Sequence, residues 1–238
     1  MEAQKSLKSV FAGSIGIITL FAIVGQFILS AHTSKLDRID YIIQFFSYFT
    51  ILSNVMVMLC CFFTICWSKS RMGLFFTRPE TITAVTLYIL IVGIIYNTIL
   101  RFLSHPQGLS MVVDELLHVL APLSFFLFWW RFLDKGTIRW SHIFYWLIFP
   151  LVYLFYTLWH GSFSGFYPYP FVNVSELGMD RVILNSFGVT LVFIVIGTLL
   201  IVLGKWQNKR RSQRIKNKKT QSSSILLYHK TAFIFYFN

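Results

Sequence analysis

The chain has 238 residues, is 56% hydrophobic and 18% aromatic, and carries only 13% charged residues; ordinary soluble domains are about one quarter charged, so that class is excluded. The formal net charge of +12 does not point to nucleic acid, because much of the excess is one run from Lys205 to Lys219, directly after the last apolar stretch. A juxtamembrane basic cluster reads instead as a topology anchor and a partner for anionic lipid headgroups.

Six apolar stretches follow in chain order, at residues 10–31, 41–67, 81–103, 112–132, 138–160 and 182–203. Each supplies the ~20 apolar residues a helix needs to cross a bilayer core. The expected fold is all-α, a polytopic membrane protein of six transmembrane helices. Threading places the N-terminus, the second and fourth loops and the C-terminal tail on one face, which collects 17 of the 21 Lys and Arg; Lys35, Arg38, Arg101 and Arg181 fall on the other. The positive-inside rule makes the rich face cytoplasmic, so both termini are expected inside and the protein in the cell membrane. Residues 1–206 are read as the membrane domain and 207–238 as a basic, disordered cytoplasmic tail. The first stretch is read as a helix rather than a signal peptide, because its apolar run is too long for an h-region and an A-x-A site is missing. Cys60, Cys61 and Cys66 lie together near the cytoplasmic end of the second stretch, which implies packing rather than a disulfide.

Polar residues inside a membrane face a bundle interior or a wet cavity. In the second span, ~1.5 Å per residue puts Thr50 ~15 Å below the outer boundary, with Ser47 and Asn54 on the same face of a continuous helix. Asn97 and Arg101 share a face at the outer end of the third span. His118 lies about two turns into the fourth, with Asp114 four residues and Glu115 three residues before it. Tyr156 and His160 end the fifth span, and Asn185 opens the sixth. The pattern predicts a polar pocket in the outer half, closed toward the cytoplasm by apolar packing. The loop between the fifth and sixth spans contains Tyr167, Pro168, Tyr169 and Pro170, too proline-rich for a continuous helix. It reads as a lid over the pocket or as an aromatic anchor at the headgroups.

A hydroxyl and an imidazole at matching depth are the minimum parts of nucleophilic catalysis. Thr50 needs a base to accept its proton; His118 supplies one, and Asp114 orients the ring as the acid does in a Ser-His-Asp triad. Asn54 or Asn97 is a candidate donor to an oxyanion. Arg101, His160 and Tyr169 complete the expected substrate-binding set. The alternative is structural, since Ser, Thr, Asn and His form interhelical hydrogen bonds in many membrane bundles.

The segment from Phe45 to Asn54, the run His118-Val119-Leu120-Ala121-Pro122, and the run from Tyr167 to Phe171 resemble an uncharacterised prokaryotic family of six-helix membrane proteins. More distantly they are similar to the androgen-induced protein family of animals, which includes the androgen-dependent regulator of tissue factor pathway inhibitor. That resemblance implies hydrolysis of fatty acid esters of hydroxy fatty acids by an intramembrane Thr and a His. It maps Tyr48-Phe49-Thr50 onto the family's helix-two Tyr-Leu-Thr. His118 with Pro122 maps onto its helix-four His and proline, and Tyr169-Pro170-Phe171 onto its Tyr-Pro-Phe. Ser53-Asn54 has no counterpart in the animal pattern.

Three functions compete. A Thr/His esterase would take a lipophilic substrate from the membrane and need no cofactor. A non-enzymatic binder or transporter would use the same pocket; against it, no span shows a Gly/Pro-broken middle. A metal site would use the Glu115-x-x-His118 spacing with His160, but such bundles need two copies of that motif.

Overall fold

The computed structural model describes residues 2–103 and 105–236, with the side chains of 6–103, 105–214, 216, 217, 220 and 221 among them. Of the basic residues counted above, the side chains of Lys5, Lys218, Lys219 and Lys230 lie outside that set. Every regular element among the described residues is helical. In order they are α1 (Glu2–Thr33), α2 (Arg38–Phe46), α3 (Phe49–Ile65), α4 (Arg71–Phe76), α5 (Pro79–Thr98), α6 (Leu109–Glu115), α7 (Ala121–Phe132), α8 (His142–Ser164), α9 (Val174–Leu177) and α10 (Met179–Tyr236). A π-helical turn, Leu116–Leu120, joins α6 to α7 into one rod. Five helical segments are long and apolar enough to cross a membrane, and six when α2 and α3 count as one broken span. The chain is therefore an all-α protein of the membrane type.

Its outer surface supports the same reading. On α8, Phe144 and Phe155 are 73% exposed and Phe163 78%; apolar exposure on that scale suits hydrocarbon rather than water. The helix that faces protein on most sides is α5. Of its apolar window 61% is buried, against 11–33% in the other four spans. α7 and α3 pack on it, and α10 closes a further side. Thr83 of α5 accepts a hydrogen bond from Trp129 Nε1 of α7 at 2.9 Å, deep in the packed core. α1 lies along α3.

The second span is not the continuous helix expected. It breaks between Phe46 and Phe49, and its halves meet at 74°. No Gly or Pro lies between Tyr41 and Trp67, so the break is made by tertiary partners. Tyr153 of α8 donates to Ser47 O at 2.8 Å. Tyr156 lies 2.7 Å from Ser47 Oγ, which donates its own proton to Ile43 O. Thr50 N–H donates to the Tyr169 hydroxyl at 3.1 Å. In hydrocarbon an unpaired peptide group costs several kcal/mol; Tyr153 and Tyr169 remove that cost at two peptide groups, and Tyr156 engages the Ser47 side chain. Ser47 consequently ends α2 while Thr50 sits in the first turn of α3, and the two do not share one helical face. A span with a broken middle also removes the argument raised above against a binder or transporter.

Two prolines are handled by α5. Proline has no N–H, so the carbonyl four residues earlier loses its helical donor. Pro150, inside α8, frees Trp146 O, which accepts from the Tyr88 hydroxyl at 2.8 Å. Pro122, after the π turn, frees His118 O, which accepts from Asn97 Nδ2 at 3.3 Å.

The last helix, α10, has helical backbone from Met179 to Tyr236; Phe237 and Asn238 lie outside the described residues. No Gly or Pro follows Gly204, and Lys, Arg and Gln propagate a helix well.

Candidate functional site

His118 is built by local sequence. Asp114 precedes it by one turn, and Nδ1 lies 3.0 Å from Asp114 Oδ1 and 2.9 Å from Asp114 O. Both partners accept, so Nδ1 carries the proton and Nε2 keeps the lone pair a general base needs. Tyr96 of α5 stacks flat on the imidazole, with centroids 3.8 Å apart and planes at 12°. Its hydroxyl donates to the other Asp114 oxygen. Gly93 permits this close approach of α5: a Cβ there would lie 3.2 Å from His118 O and from the Pro122 ring. π turns of this kind inside α-helices are frequent at functional sites.

Thr50 is buried in the first turn of α3. Its Oγ1 lies 3.3 Å from the Tyr169 hydroxyl, and that tyrosine, not His118, is its hydrogen-bond partner. Tyr169 belongs to the loop between α8 and α9 and descends into the bundle, where it packs edge-on against Tyr48 and flat on Phe171. Burial pushes its phenol up to about 12, against hydrogen bonds from Thr50 that pull the other way. It stays a neutral hydroxyl, able to donate and accept at once.

Thr50 and His118 line one cavity of about 600 Å³. Tyr96, Asp114, Pro168 and Tyr169 line it as well, and Gln26 and Ser30 of α1 add polar surface. The proline-rich loop therefore caps the chamber directly. Thr50 and Tyr169 also line a second, narrow space of about 80 Å³. This one is walled by apolar side chains of α5, α8 and α10, among them Ile91, Leu154, Val189 and Phe193. Thr50 thus lines both the chamber that holds the His118–Asp114 pair and the apolar cleft.

Four expected substrate-binding residues do not meet the chamber as anticipated. Asn54 is fully buried behind Thr50, and its amide donates to Thr50 O at 2.9 Å and to Leu117 O at 3.4 Å. Asn97 is exposed and gives its amide to Gly93 O and His118 O. Neither amide is free for an oxyanion. Arg101 is held at the rim: its Nη1 lies 2.5 Å from Glu115 Oε1, its Nε donates to Asn97 Oδ1 at 3.0 Å, and its guanidinium lies 5.2 Å from the Tyr96 ring centre. His160 stacks on Tyr156 and neighbours Ser164, outside the chamber lining. Asn185 ties the loop down by donating to Phe171 O at 2.9 Å. Among the described residues no group of three or more His, Cys, Asp and Glu is disposed to hold a metal ion, and Arg101 already engages Glu115.

The sequence reading missed Tyr96 and Tyr153, and placed Tyr156 beside His160 without seeing its bond to Ser47. Tyr96 leaves no local signal, because its partner Asp114 is 18 residues away on another helix.

No family model matches the chain, and no solved structure matches it. A curated relative, the uncharacterized MG452 homolog of Mycoplasma pneumoniae, is 28% identical over 159 residues, which cover 60% of this chain. The match spans 59% of that relative's own length.

Proposed function

We propose that this chain is a multi-pass protein of the cell membrane that hydrolyses lipid esters, with Thr50 as nucleophile, His118 as general base and Asp114 orienting the imidazole. The observation that carries the reading is that Thr50 lines both a chamber containing a His–Asp pair and a narrow apolar cleft suited to an acyl chain. The short motifs shared with the androgen-induced protein family support the same assignment.

In this mechanism the Thr50 side chain turns from Tyr169 toward His118 as substrate enters. Nε2 accepts the hydroxyl proton while Oγ1 attacks the ester carbonyl carbon. The carbonyl oxygen becomes an oxyanion. With Asn54 and Asn97 committed elsewhere, its donor is the neutral Tyr169 hydroxyl, which accepts from the Thr50 N–H and has its own proton to give once Thr50 Oγ1 turns away. The intermediate expels the alcohol, which takes the proton from His118. Water, deprotonated by the same imidazole, then releases the acid and restores Thr50. Asp114 and the stacked Tyr96 hold the ring in the required tautomer throughout.

The broken second span favours a second reading, a binder or transporter of a lipophilic ligand using the same chamber. Purified protein with a fluorogenic long-chain ester and a lipid-like fluorophosphonate separates the two. The hydrolase reading expects turnover and labelling, both abolished in Thr50→Ala and His118→Ala, with losses that do not add because the two groups act as one unit. Full labelling of Thr50→Ala would refute the nucleophile. Inert wild-type protein across a range of chain lengths would leave the binder.

A further inference from the structure

A second built feature lies at the opposite, Lys/Arg-rich end of the bundle. There the C-terminus of α7 and the stretch of α10 just past the last span enclose a cleft of about 1020 Å³. Arg131, Arg210, Arg211 and Arg214 line it, opposed by a single carboxylate, Asp134. The cleft is ordered by specific contacts. Arg211 Nη1 lies 3.2 Å from Asp134 Oδ2. Arg210 stacks over Trp206 at 3.8 Å, and Trp206 lies 6.2 Å from the Trp130 ring. Lys135 forms its base. It is buried, with Nζ donating to the carbonyls of Trp129, Trp130 and Leu133 at 2.8–3.2 Å, so it terminates α7.

The arginine-rich lining of this cleft suits a phosphate. Guanidinium groups are planar forks that bind phosphate oxygens in pairs, and Arg210 is held by its stack on the Trp206 ring. The paired indoles mark the membrane–water boundary. One turn further into the bilayer, Leu127 on α7 and Val202 on α10 are 53% and 47% exposed. A ligand whose phosphate met the arginines would therefore lay its tails on apolar helix faces. We propose that this cleft is a specific site for the phosphate of an anionic glycerophospholipid, distinct from the diffuse attraction that any basic tail exerts on an anionic leaflet.

Native mass spectrometry of the full chain, released from micelles doped with phosphatidylglycerol or phosphatidylcholine, tests this. Wild type should retain phosphatidylglycerol in preference to phosphatidylcholine, saturating at a small fixed number of molecules. The Arg210→Gln, Arg211→Gln double variant should retain about tenfold less phosphatidylglycerol. A control removing the same charge outside the cleft, Lys209→Gln with Lys216→Gln, should lose no more than about twofold. Equal losses in the two double variants would show that only diffuse charge matters and would overturn the site. Inorganic phosphate at millimolar concentration should not displace the lipid; full displacement would assign the cleft to a free anion and overturn the lipid. Arg210→Lys keeps the charge and discards the fork. Its retention should fall between wild type and the double variant, and wild-type retention would refute recognition by the guanidinium plane.

Discussion

Removing the Tyr88 hydroxyl should expose the cost that Pro150 imposes on α8. Tyr88 is 5% exposed and Trp146 3%, so the Trp146 carbonyl, which cannot bond to residue 150, has no route to bulk water. Tyr88→Phe keeps the ring and its packing against Phe49 and Phe149 and deletes the donor at 2.8 Å. Leaving a buried carbonyl unpaired costs about 1–3 kcal/mol. Pro150→Ala returns an N–H to the helix within reach of the same carbonyl. In that background Tyr88→Phe should cost only about 0–1 kcal/mol, a coupling of about 1–2 kcal/mol between residues 62 positions apart. The assay is reversible unfolding in mixed micelles with increasing denaturing detergent, applied to all four proteins of the cycle. An equal cost of Tyr88→Phe in both backgrounds would refute the idea that this tyrosine compensates for the proline.

Further outcomes follow from other contacts. Thr50→Ser should retain part of the proposed esterase activity, since the hydroxyl survives, and Asp114→Asn should lower it less than His118→Ala, because Asp114 holds the imidazole and Tyr96 without touching the reacting atoms. Gly161→Ala would bring a Cβ within 2.2 Å of the Tyr167 ring; displacing that ring should cost about 1–3 kcal/mol and loosen the loop carrying Tyr169, read as faster proteolysis between residues 165 and 178. Burial pulls the Lys135 ammonium down from its usual value to about 8. Between about 8 and 10.5 the unfolded chain then binds more protons than the folded one, so stability should rise with pH across that window, and Lys135→Met should abolish the rise. A cysteine at Ser164 should label from outside with an impermeant reagent in intact cells and one at Ser70 should not, with the reverse pattern overturning the orientation; Ser104, a further outward position by sequence, lies outside the described residues.

The two levels of organisation in this chain were not equally visible in its residues. Hydropathy alone located the spans, because each must be apolar on nearly every side. The Asp114–His118 pair was also legible, since four residues on a helix always face one way. What escaped was every relation set by a distant partner. Pro122 and Pro150 announce that two carbonyls will be free, yet nothing local says that Asn97 and Tyr88 take them. Asn54 looked available for catalysis because an isolated asparagine does not reveal the backbone carbonyls that Thr50 and Leu117 direct at it. The helical spacing of Ser47, Thr50 and Asn54 suggested one face only on the assumption of an unbroken rod.

The break at Ser47 also has a history in the life of the chain. Its stabilising tyrosines, Tyr153, Tyr156 and Tyr169, lie 106, 109 and 119 residues after the groups they serve. When the second span first meets lipid during synthesis, none of them has been made. At that moment an uninterrupted helix is the form that satisfies its own peptide groups. The bend is thus acquired only after the fifth span and the following loop arrive, and Thr50 reaches its place near His118 as one of the last acts of assembly. A chain truncated before residue 150 would carry Thr50, His118 and Asp114 and none of the three tyrosines that hold the bend.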